Sequence, residues 1–573
     1  GQLARSLPGT GLSSEAVGRV VERSAGNPRA AIELSQAAAA GRPNRLPPSV
    51  RHTVAVRVST LSAAAGEVLE ALGILEPEPE LQLVLALPEA TDAALVELTE
   101  AGLVHVSGDQ RRTVVRFRHP LYRDATRERT IWARRRMLHA QVADVLERMH
   151  CGRDVAAILR TARHRELGGE AERAVDYLGA AAGALRAAGD ARSAGDLFLA
   201  TLQTLVRNPG LAGSRSGVLL SAMQELSLAG RWIEVLPIAE RVWPTPSRTP
   251  AGENAQLAAV LGTSLLMTGR IEEANTLLAR QVSQLEGAGR ALAAPSLLAA
   301  AAAAALHEGH LAKAQRLCQL AARTREPGVR GLARCLAVAV RFRSDRDRTA
   351  AAAEFGALSH AVRADGLTEL AAFARWNQAR MTTRMEDALR VEAMGERAYP
   401  LMAAPARLLT ATIHLLEGRE SRAGAALERA RSELTAAVPL LTPLVDGLQA
   451  HVDLHLGEVE RARSRLEPWG GERADVRSLA RAVVLGAQGW FAWETDSLEV
   501  AAERFGECAD ECAASGYGLL ESRSPLLPLH VDALLRLGSA GQARRAVQAA
   551  AAGGGTDRFS RAALAAGRFR LSP

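Results

Sequence analysis

A single lysine, Lys313, stands among the 70 cationic side chains of this 573-residue chain, so 69 of them are arginine. That count removes a class of chemistry. A P-loop needs Gly-x-x-x-x-Gly-Lys-Ser/Thr, because backbone amides cradle the phosphates while the lysine reaches the β and γ oxygens. Lys313 lies in Leu311-Ala312-Lys313-Ala314-Gln315, so the chain holds no P-loop and is not expected to hydrolyse ATP unaided. No His-Glu-x-x-His, no Gly-x-Ser-x-Gly with partners and no carboxylate cluster away from helical surfaces is present either, so no catalytic residue and no enzyme is expected. Cys508 and Cys512 are one helical turn apart and could hold half a metal site. No second ligand pair is spaced to complete it, and buried thiols are the simpler reading, with no metal.

Two other places could do chemistry. Gly26-Asn27-Pro28 lies between two helical patterns, and His119 precedes Pro120 at the junction of a strand-like and a helical segment. A histidine there can donate to an anion near neutrality. Each also has a plain structural reading: a helix stop followed by a helix start, and a satisfied histidine at a strand end.

The elements that position these residues fall into three regions. Residues 1–48 read as helices from Ser14 to Ser24 and from Pro28 through Ala38, with Ser13 or Ser14 as N-cap. The connector Arg42-Pro43-Asn44-Arg45-Leu46-Pro47-Pro48-Ser49 closes the region, because proline lacks the amide a helix needs. Residues 49–151 read as helices over Val50–Leu61, Ala63–Leu72 and Asp92–Ala101. Strand-like Leu103–Val106 and Thr113–Phe117 follow, around the turn Ser107-Gly108-Asp109-Gln110. Three helices and a β-hairpin predict a winged helix, followed by a helix over Arg134–Met149. Residues 152–573 read as a helical-hairpin solenoid. Its turns fall at Gly189, Gly230, Gly269 and Gly309, spaced 41, 39 and 40 residues apart, then near Ser344, near Arg384, at Gly418 and Gly457, near Asp496 and at Gly538. Such pairs bury their apolar faces only by stacking, which predicts about ten TPR-like repeats in a superhelix with a concave surface for a partner. The fold class is therefore mostly α.

Composition agrees. Aromatics are 3% and apolar residues 48%, so the core must be built of Ala, Leu and Val, whose small volumes let helices approach closely. Five cysteines (Cys151, Cys318, Cys335, Cys508, Cys512) form no disulfide framework, which suits a reducing, cytoplasmic compartment. No apolar run reaches the roughly 18 residues of a membrane span. The net charge of +7 is thin for a DNA-binding domain. The basic run Arg111, Arg112, Arg116, Arg118, Arg123, Arg127, Arg129, Arg134, Arg135 and Arg136 could contact phosphates, but a solvated, arginine-biased surface is the favoured reading. Trp232, Trp376, Trp490 and Trp493 could line a ligand site, though core filling is the favoured role.

The order of motifs resembles a family. Ser24-Ala25-Gly26-Asn27-Pro28, Leu46-Pro47-Pro48-Ser49-Val50, Leu61-Ser62, Gly102-Leu103-Val104, Phe117-Arg118-His119-Pro120-Leu121-Tyr122-Arg123-Asp124-Ala125 and Arg135-Arg136-Met137-Leu138-His139 resemble the second half of a STAND-type signalling ATPase. Within that class they are most similar to the large ATP-binding LuxR-family regulators. The matched stretch spans residues 20–140, and the repeats behind it fit the same layout.

The resemblance implies that residues 1–48 are the end of the ATPase lid, that Gly26, Asn27 and Pro28 pack against an adenine, and that His119 contacts the phosphate of bound ADP. In that family the winged helix is a hinge for nucleotide switching. It also implies a P-loop domain before residue 1 and a DNA-binding helix-turn-helix after the repeats. The start without methionine and the closing Leu571-Ser572-Pro573 are expected of a fragment cut at both ends. ATP or ADP would then be the cofactor of the full-length protein, and an inducer or regulatory protein would sit on the repeats. DNA would be bound through the segment that follows, and homo-oligomers could assemble. Two alternatives stand beside this one: a standalone repeat scaffold, and the sensor tail of a cyclase or kinase.

Overall fold

Ser13 accepts a hydrogen bond from the Ala16 amide at 3.3 Å and so opens the first helix, α1 (Ser14–Ser24). The computed structural model describes residues 12–42, 45–108, 112–149, 154–243, 251–287, 291–345, 347–398, 400–469, 479–515, 526–552 and 558–571. Asp109, Gln110, Arg111 and Cys151 therefore lie outside the described residues. The chain forms two compact units, Gly1–Gly183 with Gln203–Ser214, and Ala184–Leu202 with Arg215–Pro573.

In the first unit α1 is followed by α2 (Pro28–Ala39), α3 (Pro48–Val58), α4 (Ala63–Ile74), a short α5 (Leu81–Leu85) and α6 (Asp92–Glu100). Pro48 occupies the first turn of α3, where its missing amide costs nothing. Glu33 on α2 takes the place of a cap, accepting from the Ser49 amide at 3.2 Å and its hydroxyl at 2.9 Å. Ser62 caps α4 and donates amide and hydroxyl to the Glu97 carboxylate of α6, each at 2.6 Å. These bonds hold the Glu97 carboxyl below its ordinary range. Gly102, at φ +66°, turns the chain into the antiparallel pair β1 (Val104–Gly108) and β2 (Thr113–Phe117), in which Val104 faces Phe117 and Val106 faces Val115. The Val115 amide donates to Pro79 O at 2.9 Å, so the segment before α5 lies along the outer edge of β2. Then come α7 (Pro120–Arg129), α8 (Trp132–Met149) and α9 (Val155–Leu167).

Two buried clusters hold this unit. Leu69, Leu72, Leu98, Leu103, Val104, Val115, Leu138 and Val142 join α4, α6, the β-pair and α8. Val17, Val20, Leu34, Leu46, Val50, Val54, Leu121 and Ala125 join α1 and α2 to α3 and α7. Leu46 and Val50 lie on either side of Pro47-Pro48 and share one buried cluster, so the apolar core reaches across the end of the connector. Burying each such leucine or valine contributes roughly 1.5–3 kcal/mol.

The second unit consists mainly of antiparallel helical pairs, TPR-like in plan. Described pairs include 216–228 with 232–242, 251–267 with 271–287, 295–307 with 311–321, 368–382 with 385–398, and 442–455 with 459–466. The turns explain the spacing read from the sequence. Gly189, Gly230, Gly269, Gly309, Gly418, Gly457 and Gly538 all have positive φ. After each, the next amide reaches back to a carbonyl five residues earlier, as in Arg231 N to Leu226 O and Arg270 N to Leu265 O, both 2.9 Å. Thr383 and Asp496 adopt the same left-handed conformation without being glycine.

The first helices of some pairs are buried on nearly all sides, and in helix 442–455 this takes in the polar Asp446, Gln449, His451 and Asp453. Helix 295–307 buries Leu297–Ala302 and Ala304–Leu306, and helix 442–455 buries every residue from Pro443 to Leu454. Exposure is concentrated on the second helices, such as 271–287 and 311–321. Helices 295–307 and 442–455 therefore leave little open face for a partner. Helix 232–242 touches helix 420–437, and helix 251–267 touches the turn Pro439–Leu441, so later pairs cover earlier ones.

Candidate functional site

The Gly26-Asn27-Pro28 turn and His119 meet at one backbone atom. Helix α1 stops because Ala25 (φ +42°) and Gly26 (φ +82°) turn left-handed. Asn27 then caps α2, its side-chain oxygen accepting from the Ala30 amide at 3.1 Å, and Pro28 fills the first position of that helix. Ser24 O is left at the corner, where it accepts from the Asn27 amide at 2.8 Å. Its second partner is His119 Nε2, at 2.9 Å.

His119 is placed by the strand-to-helix corner between β2 and α7. Its Nδ1 accepts from the Leu121 amide at 3.1 Å, capping α7. With Nδ1 an acceptor, the hydrogen-bond network assigns the ring proton to Nε2, which donates to Ser24 O in the neutral tautomer. Tyr122 lies beside the ring, 5.6 Å between centroids, and Arg57 sits over Tyr122 at 5.4 Å while donating to Gly102 O at 2.6 Å. Arg23 on α1 pairs with Asp124 on α7 at 3.2 Å. Ala25, Gly26, Asn27 and Pro28 are exposed, whereas Ser24 is buried. The arrangement thus offers an open turn backed by one histidine N–H that has a single, replaceable acceptor.

The structure brings Gly26, Asn27, Pro28 and His119 together, although 91 residues separate Pro28 from His119 in the chain. It also adds Ser24, which sequence reasoning could not single out because its backbone carbonyl, and not its side chain, takes part.

The other candidates are dispersed. Cys508 Sγ donates to Ala482 O at 3.1 Å, and Cys512 shares its buried cluster with Trp490 and Phe505. Burial pushes the Cys318 thiol up to about 11 and Cys335 to about 12, which leaves both unreactive at neutral pH. Trp232 and Trp490 are buried. The indole of Trp376 donates to Pro405 O at 3.2 Å, and that of Trp493 to Asp532 at 3.0 Å. Trp490 and Trp493 share helix 479–494 and one buried cluster, while Trp232 and Trp376 lie on other helices. Among the described residues no helix is long and apolar enough to cross a membrane.

No family model matches the chain, and no curated protein matches it. Solved structures do. A Signal Transduction ATPase with Numerous Domains (STAND) protein with a tetratricopeptide repeat sensor, from Pyrococcus horikoshii, is 13% identical over 86% of this chain and 75% of its own, with a TM-score of 0.33. A human IFIT1 dimer with PPP-AAAA is 13% identical over 73% and 95%, with a TM-score of 0.35. Yeast Tom70 is 11% identical over 73% and 94%, with a TM-score of 0.30. Likenesses this low carry no argument about function, and the helical-repeat reading stands on the turns and burial described above.

Proposed function

We propose that this chain is the hinge and sensor portion of a nucleotide-switched signalling protein. The helical pairs would bind an inducer or regulatory protein, and the three helices and β-hairpin around His119 would act as a winged-helix hinge. The finer form of this reading is a LuxR-type, ATP-dependent transcriptional regulator. What carries it is the bond from His119 Nε2 to Ser24 O beside the Gly26-Asn27-Pro28 turn. A phosphate oxygen could take that proton from the carbonyl while Nδ1 stays on the Leu121 amide, so one donor would serve two acceptors in two arrangements.

The test is to weigh the native polypeptide from its source cell and extract its nucleotide. A mass well above the 60.7 kDa of this chain, with ADP retained and then lost in His119→Ala, is expected. A native mass near 60.7 kDa with no retained nucleotide would leave a repeat scaffold that docks proteins through its exposed second helices. That second reading rests on the amphipathic character of helices such as 271–287 and 311–321.

A further inference from the structure

The positive charge of this chain is far more concentrated than its total suggests. Ten arginines between residues 111 and 136 face only two acids, Asp124 and Glu128, while the whole chain carries a net +7, so the rest of the sequence is close to neutral. Several of these arginines are committed within the first unit. Arg112 pairs with Glu80 at 3.2 Å, Arg116 with Glu78 at 2.7 Å, and Arg134 with Glu70 at 3.2 Å. Arg123 donates to Leu75 O. Arg118, Arg127, Arg129 and Arg135 have no carboxylate within ion-pair reach among the described residues.

At the corner between α7 and α8, close in the chain to Arg127, Arg129 and Arg135, stand two exposed apolar side chains, Ile131 at 70% and Trp132 at 65% exposure. The Arg136 guanidinium lies over the Trp132 ring, 4.9 Å from its centroid, which leaves the other face of the indole open. Arg129 borders two shallow cavities of about 270 and about 390 Å³, the first also lined by Glu67 and Glu70 and the second by Arg51, His52 and Glu128.

We infer that this corner binds single-stranded nucleic acid, with phosphates on Arg127, Arg129 and Arg135 and a base stacked on the free face of Trp132. Aromatic stacking beside arginine is how strands are held without sequence preference. A duplex is disfavoured by the same unit. Helix α6, the last before the β-hairpin and so the one a helix-turn-helix protein would place in the groove, carries Asp92, Glu97 and Glu100 and no cation. A protein partner is disfavoured by size, because one Ile–Trp corner falls far short of the roughly 800 Å² per side of a stable interface.

The full chain is titrated into fluorescein-labelled dT20, a 20-nucleotide RNA and a 20-base-pair duplex by anisotropy at rising salt. Expected are binding of the single strands in preference to the duplex, and a slope of log affinity against log salt of about −2 to −3, for three or four phosphates. Trp132→Ala should weaken strand binding about 5- to 100-fold and Trp132→Phe restore much of it, with unchanged melting temperature because the ring is exposed. Arg127→Gln with Arg129→Gln should flatten the slope by about 1.4, while Arg323→Gln, on the exposed surface of the repeats, leaves it unchanged. Absence of strand binding at 50 mM salt, equal or tighter duplex binding, unaltered affinity in Trp132→Ala, or binding to phosphatidylserine vesicles in place of strands would each overturn the inference.

Discussion

His139 Nδ1 and His164 Nδ1 lie 3.0 Å apart inside the first unit, one imidazole donating to the other. Such a bond requires at least one neutral ring. Burial holds both histidines well below their ordinary value, reinforced at His139 by Arg127, Arg163 and Arg135, and at His164 by its partner ring, Arg160 and Arg163. In the repeats, burial likewise lowers His451 and His530 to about 4. In the unfolded chain these groups titrate near 6.5. Between there and the lowered native values the unfolded state binds more protons, so stability is lost as pH falls. The melting temperature should drop steadily from pH 6.5 to 4.5, and His530→Leu should make the drop shallower. A flat profile over that window would refute the assignment.

His119 does two structural jobs that substitutions can separate. His119→Ala removes both the cap on α7 and the bond to Ser24 O, with an expected loss of about 1–2 kcal/mol in denaturant unfolding. Asn is a good N-cap but too short to reach Ser24. His119→Asn should therefore recover most of the stability while α1 and α2 still exchange their amides faster than in the parent.

Arg165 is 1% exposed and meets three carboxylates, Asp144 and Glu170 at 2.6 Å and Glu147 at 2.8 Å. Burial opposes its charge, but the hydrogen bonds it donates to Glu147, Glu170 and Asp144 outweigh burial and raise its pKa further. Arg165→Met strands three acids around an apolar side chain. Because those acids are between 29% and 49% exposed, water relieves part of the repulsion, and the expected loss is about 3 kcal/mol. Urea unfolding measures it, and a loss under 1 kcal/mol would show that the network is not what joins α8 to α9.

Close helix approach predicts opposite signs for two glycines. A Cβ at Gly395 would lie 2.5 Å from Ala403 N and 2.7 Å from its Cα, backbone atoms that cannot swing aside. Gly395→Ala should cost about 1–3 kcal/mol through overpacking. Gly506, within helix 498–515, has nothing within 4 Å, so Gly506→Ala should stabilise by about 0.5–1 kcal/mol through reduced freedom of the unfolded chain. Paired thermal melts decide both.

These residues also show where the sequence was readable. The repeat turns were legible because a left-handed C-cap favours glycine, and the period of Gly189, Gly230, Gly269 and Gly309 is visible without any structure. Thr383 and Asp496 blurred that period by adopting the same conformation as non-glycines. Helix α5 was missed because five residues hold too little of a 3.6-residue period. The covering of helix 442–455 was hidden for another reason. Its Asp446, Gln449, His451 and Asp453 carry the polarity of a solvated face, yet all four are buried, Asp453 against Arg465 and Asp446 against Trp469, and such contacts leave no local mark in the sequence. The meeting of His119 with the turn after Ser24 was not legible from spacing and followed only from the family resemblance.

Arg186 gives the last prediction, because it ties together pairs that are distant in the chain. Its guanidinium bonds Glu225 at 2.8 Å and Glu369 at 3.0 Å, with all three side chains less than a third exposed. Burial raises the Glu225 pKa, Arg186 pulls it down, and Glu369 pushes it up again. In Arg186→Gln the two carboxylates face each other without a cation, which should cost about 2 kcal/mol at pH 7. Protonating Glu225 relieves that repulsion, so the deficit relative to the parent should shrink at pH 5 even as both proteins lose stability through their buried histidines. Amide exchange should quicken in helices 216–228 and 368–382 and stay unchanged in helices 526–536 and 540–552. Adding Glu369→Gln should restore most of the loss, since one acid then faces two neutral amides. If the single variant matched the parent at pH 7, the contact of Arg186, on helix 171–187, with helices 216–228 and 368–382 would contribute nothing to holding the array.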